Sequence, residues 1–234
     1  MVKALATALL CAVLAGPALA GPMTEAAEIC SDPMTTGPEK RERLPQLGWT
    51  PAPVDEAGTL TDLAVAHVIG FTRGMTDVNE RFARAPLLAA NFARLAGDGA
   101  ITLWQKDGAL LALSIARTAE DTEHVGCYLA MPAGDETLAL IDAHGGPEVL
   151  PDLELMAARF DETAMNMRDD IQYRMYSTWT RLTSDPQRTP LTDAYRLERV
   201  ELRAEQADEA GPDPAPTPEK AGMLSRIPIP HPED

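Results

Sequence analysis

The sequence predicts an α+β fold: an antiparallel sheet, built from a three-stranded meander plus one or two C-terminal strands, with helices packed on one side of it. Three observations predict this. The segment 101–117, "ITLWQKDGALLALSIAR", holds two apolar runs joined through Asp107-Gly108, the dipeptide that a tight type I′ hairpin turn favours. A third apolar run, Glu123 to Met131, follows after a short polar loop. Segments of helical spacing stand on either side of this meander in the chain.

The first helix is expected from about Thr61-Asp62, a capping pair, with Leu63, Ala66, Ile69 and Gly70 on one side and Gly74 ending the pattern. A second helix lies within Asp77 to Ala96. Pro86 sits in its first turn, Leu88, Phe92 and Leu95 form its apolar stripe, and Gly97 is placed to end it. After the meander, "GDETLALIDAHGG" predicts a helix that buries Leu138 and Ile141 and stops at Gly145-Gly146. The segment 152–170 has helical spacing through Leu153, Met156, Phe160, Ala164 and Met167, and a helix is expected there. "DIQYRMYSTWTRL" alternates and predicts a strand. "AYRLERVEL", Ala194 to Leu202, predicts another with one wet side.

Four regions follow from composition. Residues 1–20 have the build of a secretory signal: one charge at Lys3, an apolar run from Ala4 to Ala15, a Gly16-Pro17 break and small residues at Ala18 and Ala20. Cleavage is expected near Ala20, which places the mature protein in the periplasm or outside the cell. Residues 21–58 are rich in Pro, Gly, Thr and charge and are expected to form an irregular N-terminal arm. Residues 59–203 form a single α+β domain. Residues 204–234 carry seven of the twenty prolines, are acidic, and are expected to be disordered. The apolar stretch "MLSRIPIPHP" inside them is extended enough to dock on a partner or on the domain.

The net charge of −16 argues against nucleic acid and anionic membranes as partners, because phosphate contacts need clustered Lys and Arg. No later stretch is long and apolar enough to span a membrane. The motifs GxxxxGK[ST], GxGxxG and HExxH and the EF-hand loop are absent, so no cofactor is expected. His67, His124, His144 and His231 have no metal-ligand spacing, and no metal site is assigned. Gly145-Gly146 is explained by a helix end, since no GxSxG nucleophile accompanies "AHGGP".

Cys11 leaves with the signal, so Cys30 and Cys127 remain as an even pair in an oxidising compartment. A disulfide between them is expected. Along the third strand Val125, Cys127, Leu129 and Met131 share one face. The opposite face is expected to carry Leu110, Ala112, Ser114, Ala116, Gly126 and Ala130, with Trp104 and Tyr128. These are small residues and two aromatics, so Trp104, Ser114 and Tyr128 mark a candidate ligand face. A helix packed on the small side chains would remove it.

The leading functional expectation is an exported, non-catalytic binding or interaction protein, with a protein or a small apolar ligand as partner. A hydrolase that assembles Ser114, His124 and Asp142 in space is the alternative. So is a copper carrier using Met156, Met165, Met167 and Met175, since thioether sulfur selects Cu(I). No catalytic residue is assigned.

Overall fold

The computed structural model describes residues 21–55, 58–71, 77–118, 121–150, 155–166, 171–183 and 189–202. Residues 1–20, read above as an export signal, and the proline-rich stretch 204–234 lie outside the described residues, as does Gly74. The helices are α1 (Pro22–Ser31), α2 (Gly37–Gln46), α3 (Thr59–Phe71), α4 (Val78–Phe82), α5 (Ala85–Gly97) and α6 (Asp135–Ala143). The strands are β1 (Thr50–Pro51), β2 (Ile101–Lys106), β3 (Ala109–Arg117), β4 (Glu123–Met131), β5 (Glu148–Leu150), β6 (Leu155–Asn166), β7 (Ile171–Leu182) and β8 (Asp193–Leu202). They form one eight-stranded sheet of order β1-β2-β3-β4-β8-β7-β6-β5. Every pairing in it is antiparallel.

The meander follows from local chemistry. Asp107 and Gly108 have φ of 48° and 81°, the positive values that a type I′ turn needs at both centres. That turn sets Lys106 opposite Ala109, and the register runs unbroken to Ile101 opposite Ser114. The last strand does not continue the meander outward. β8 inserts between β4 and β7, pairing Cys127 with Leu197 on one side and Leu197 with Ser177 on the other. The final strand therefore joins β1–β4 to β5–β7 in one sheet.

Three expectations change. Residues 21–58 are not irregular, because α1 and α2 lie within them. α1 has a proline in its first turn and buries Met23, Ala26, Ile29 and Cys30, an i, i+3, i+7 stripe with one flanking residue. α2 starts on a capping box in which Thr36 accepts from Glu39 N and the Glu39 carboxylate accepts from Thr36 N.

The segment 155–166 is a strand, paired with β7 over all its twelve residues. The i, i+4 spacing of Met156, Phe160 and Ala164 is shared by a helix face and by a strand of period two, so pairing with β7 decides between them. Helices also cover both faces of the sheet rather than one. α3 and α5 pack on the face of Ala112, Tyr128, Ala130 and Ala194. α1, α2 and α6 pack on the face of Leu111, Leu113, Cys127, Leu129, Tyr195 and Leu197.

The expected pair Cys30–Cys127 is bridged, with an S–S distance of 2.01 Å and the Cα atoms 6.3 Å apart. Both residues are fully buried. The bridge fastens the C-terminal end of α1 to the middle of β4 across a sequence separation of 97. A loop of that length allows about 4–5 kcal/mol of stabilisation in the chain-entropy account.

Candidate functional site

β8 decides the chemistry of both faces, because it is central and carries charge in each direction. Tyr195, Leu197 and Arg199 point to the disulfide face; Arg196 and Glu198 point to the other. The sequence predicted one wet side for this strand. Instead Glu198 and Arg199 are both buried. The sequence carried the signal for this, two arginines and a glutamate in an alternating run, but not the fact that the strand would be interior.

On the disulfide face the charges are closed into a network. Arg199 Nη2 donates to Glu123 Oε1, and Arg199 Nη1 donates to the carbonyls of Asp32 (3.0 Å) and Thr35 (2.8 Å). The other oxygen of Glu123 accepts from Gly37 N at 2.9 Å. Lys40, fully buried, donates to Ile29 O and Asp32 O, each at 2.6 Å, and to Thr35 Oγ1 at 3.1 Å. Burial first, then the neighbouring Arg199, lowers the Lys40 ammonium to about 7. All three donors of the ammonium are used, and the network ties the α1–α2 turn to β4 and β8. This cluster holds the fold and offers no open ligand position.

The opposite face has two halves. Over the first half, α3 and α5 cover the small residues of the meander. Tyr128 is packed edge-on by His67 of α3 at 5.7 Å between ring centroids and by Phe92 of α5 at 5.6 Å. Gly126 is bare because the Tyr128 ring lies over it: a Cβ there would stand 3.2 Å from the ring and 3.6 Å from its hydroxyl. The crevice between Ala52, Leu60, Leu63, Leu103 and Trp104 leaves no room for a water molecule. The helix packing that would remove the expected apolar ligand face is therefore present.

Trp104 also leaves that face. It pairs with Leu111, belongs to the disulfide-side core, and donates its indole N–H to Thr102 Oγ1 at 3.0 Å. Ser114 and Tyr128 stay together on the covered face, through the pairs Ser114–Gly126 and Ala112–Tyr128.

Beyond Tyr128 lies a polar border. Arg196 stands over the Tyr128 ring, 5.5 Å from its centroid, and its Nε donates to Glu198 Oε1 at 3.1 Å. Burial pushes the Tyr128 phenol up to about 12 and pushes the His124 imidazole down. Burial, with Arg196 nearby, holds His67 down at about 3. At neutral pH the border thus carries a neutral phenol, two neutral imidazoles and one closed ion pair. His124 Nε2 is buried with no hydrogen-bond partner.

The second half of this face has no helix over it among the described residues. Gln172, Arg174, Tyr176 and Thr178 of β7 are half-buried, and Arg159, Asp161, Thr163 and Met165 of β6 are exposed. Arg174 pairs with Asp161 at 3.1 Å and its guanidinium lies 5.2 Å from the Tyr176 centroid. Among the described residues the outer edge of β6 is paired at Leu155 to Ala157, by β5.

The alternative constellations do not assemble. Ser114 and His124 share a face, but Asp142 lies on α6, which packs on the other side of the sheet. Met156 and Met175 occupy the disulfide-side face of their strands and Met165 the other, while Met167 lies outside the described residues. His144 ends α6 and stacks on Trp179 at 3.9 Å, and Gly145 and Gly146 turn the chain at φ of 103° and 81°. Among the described residues no group of three or more His, Cys, Asp or Glu side chains is placed to hold a metal. Among the described residues no helix is long and apolar enough to cross a membrane. No family model, curated protein or solved structure compared with the chain matches it.

Proposed function

We propose that the chain is an exported, non-catalytic interaction protein of the bacterial periplasm, and that its docking surface is the polar half of the α3–α5 face. The observation that carries this reading is the contrast in cover on one sheet. Three helices close the disulfide face, whereas rows of Arg, Tyr and Thr on β6 and β7 have none over them among the described residues. Arginine and tyrosine are enriched where proteins meet, because each offers a large contact area together with a polar end. Beyond Ala157 the outer edge of β6 pairs with no other strand among the described residues, and a partner's chain can continue the sheet there. A protein partner fits this surface better than a small apolar ligand, because the apolar half is filled. Export is supported by the signal-like first twenty residues and by a buried disulfide, a bond that persists in oxidising compartments.

Site-specific photo-crosslinking in the periplasm tests the reading. A crosslinker in place of Tyr176 is expected to give a discrete protein adduct that one in place of the exposed Leu87 on α5 does not give. No adduct, or the same adducts from both positions, would exclude this surface.

A further inference from the structure

Glu136 begins α6, yet its carboxylate serves α1. Oε1 accepts from Thr24 N at 2.6 Å and Oε2 from Met23 N at 3.4 Å, so it caps a helix 112 residues earlier in the chain. α1 has no cap of its own, since its N-cap residue is Gly21 and has no side chain to offer. Gly21 also faces the carboxylate closely. A Cβ built on it would overlap Glu136 Oε2 and stand 2.9 Å from Oε1. One empty tetrahedral vertex of the Gly21 Cα therefore points between the two oxygens of Glu136.

We propose that signal-peptide removal completes this site: the new α-ammonium of Gly21 seats on the Glu136 carboxylate and locks α1 to α6. The inference rests on the cleavage after Ala20 that the export reading assumes. In the precursor the Gly21 nitrogen is an uncharged amide tied to Ala20. After cleavage it carries a positive charge and turns freely about the Cα–C bond. The N–Cα bond, ~1.46 Å, is close to a Cα–Cβ bond in length, so the nitrogen can occupy the empty vertex. A small shift of the Glu136 carboxylate, the far end of a flexible side chain, then brings both oxygens to ion-pair distance. Glycine is the residue that permits this, because any Cβ would already fill the vertex. The Glu136 carboxylate is also well placed, since it stands at the start of both α1 and α6, where the helix dipoles favour a negative charge.

The sign of the pH effect follows. An α-amino group titrates at about 7.7–8.0 when unperturbed, and a carboxylate partner raises that value in the folded state. The stabilisation is then full below about pH 8 and is lost as pH rises through the higher folded value.

The test uses the mature protein purified from the periplasm. Intact mass first establishes whether it begins at Gly21; a different start overturns the cleavage reading on its own. The terminal amine is then titrated by NMR in protein labelled with ¹³Cα-glycine, in wild type and in Glu136→Gln. The wild-type amine is expected to titrate about 0.5–1 pH unit above the unperturbed range, and the Glu136→Gln amine within it. Wild type should also melt about 2–4 °C higher than Glu136→Gln at pH 6.5, with the gap narrowing by pH 10. Glu136→Asp, which keeps the charge, is expected to restore part of the amine shift. The same amine titration in wild type and Glu136→Gln would overturn the proposal, even if their melting temperatures differ.

Discussion

The disulfide face and the α3–α5 face belong to the same eight strands and treat charge in opposite ways. On the first, Lys40, Glu123 and Arg199 are buried to 4 % exposure or less, and they bond to carbonyls, a backbone N–H, the Thr35 hydroxyl and, for Glu123 and Arg199, each other. On the second, Arg174 and Asp161 keep 27 % and 30 % of their side chains in solvent, and no helix lies above them among the described residues. A buried charge network fixes one geometry and punishes the loss of any member. A half-exposed pair on a sheet tolerates change and is free to be re-paired by a partner. The difference teaches that stability and recognition are separated here by face, with the mixed row Tyr128–Arg196–Glu198 at the border.

That separation can be broken from the disulfide side with the largest effect. Replacing Cys30 and Cys127 together by Ala is expected to cost about 2–5 kcal/mol, because α1 is then held to β4 by packing and the Lys40–Arg199 network without a covalent link. Urea unfolding measures this, and a loss under 1 kcal/mol would mean that the Lys40–Arg199 network carries the attachment by itself.

The next largest effect should come from that network. Arg199→Met leaves Glu123 buried with one partner fewer and is expected to cost about 3 kcal/mol or somewhat more. The double variant Arg199→Met, Glu123→Gln removes the stranded charge as well. It should recover part of the loss, and equal stability of the single and double variants would contradict the pairing.

The covered end of the second face answers to pH. His67 is held at about 3 in the fold, while an unfolded chain titrates near 6.5. As pH falls from about 6.5 toward 3, the unfolded state takes up a proton that the native state refuses, so stability falls over that window. One proton limits the slope to about 1.4 kcal/mol per pH unit. His67→Phe is expected to flatten this part of the stability curve, and an unchanged slope would assign it to other groups.

The smallest effect is expected on the open half. Arg174→Ala should change stability by less than about 1 kcal/mol, as half-exposed pairs do. The same variant should weaken the crosslink formed from position 176. A variant that unfolds the protein would show that this half is structural after all.

Much of this fold was legible in the residues because its causes are local. Asp107-Gly108 specified a turn that needs two positive φ angles, and the meander followed. Pro86 stands in the first turn of α5, which runs through Gly97 to a cap at Asp98 and leaves α4 as a separate short helix before it, and Asp135 to Ala143 formed a helix at the expected place. The disulfide followed from compartment and parity. The candidate site was legible only in part. Ser114 and Tyr128 share a face as alternation predicted, whereas Trp104 does not, because register and not proximity in sequence sets the face. Arg196 and Glu198 were missed, since their strand looked half wet and became interior only when it entered between β4 and β7.

By itself, then, the sequence determined the turns, the helix ends, the alternation of β4, the cysteine pair and the acidic surface charge. Each depends on a few neighbouring residues or on a sum over the chain. Tertiary structure alone decided that 155–166 is a strand, that α1 and α2 order the arm, and that helices cover both faces unequally. Those outcomes rest on pairing and burial between segments far apart in the chain. A spacing such as Met156, Phe160, Ala164 satisfies two local conformations equally, and only the partner strand chooses one.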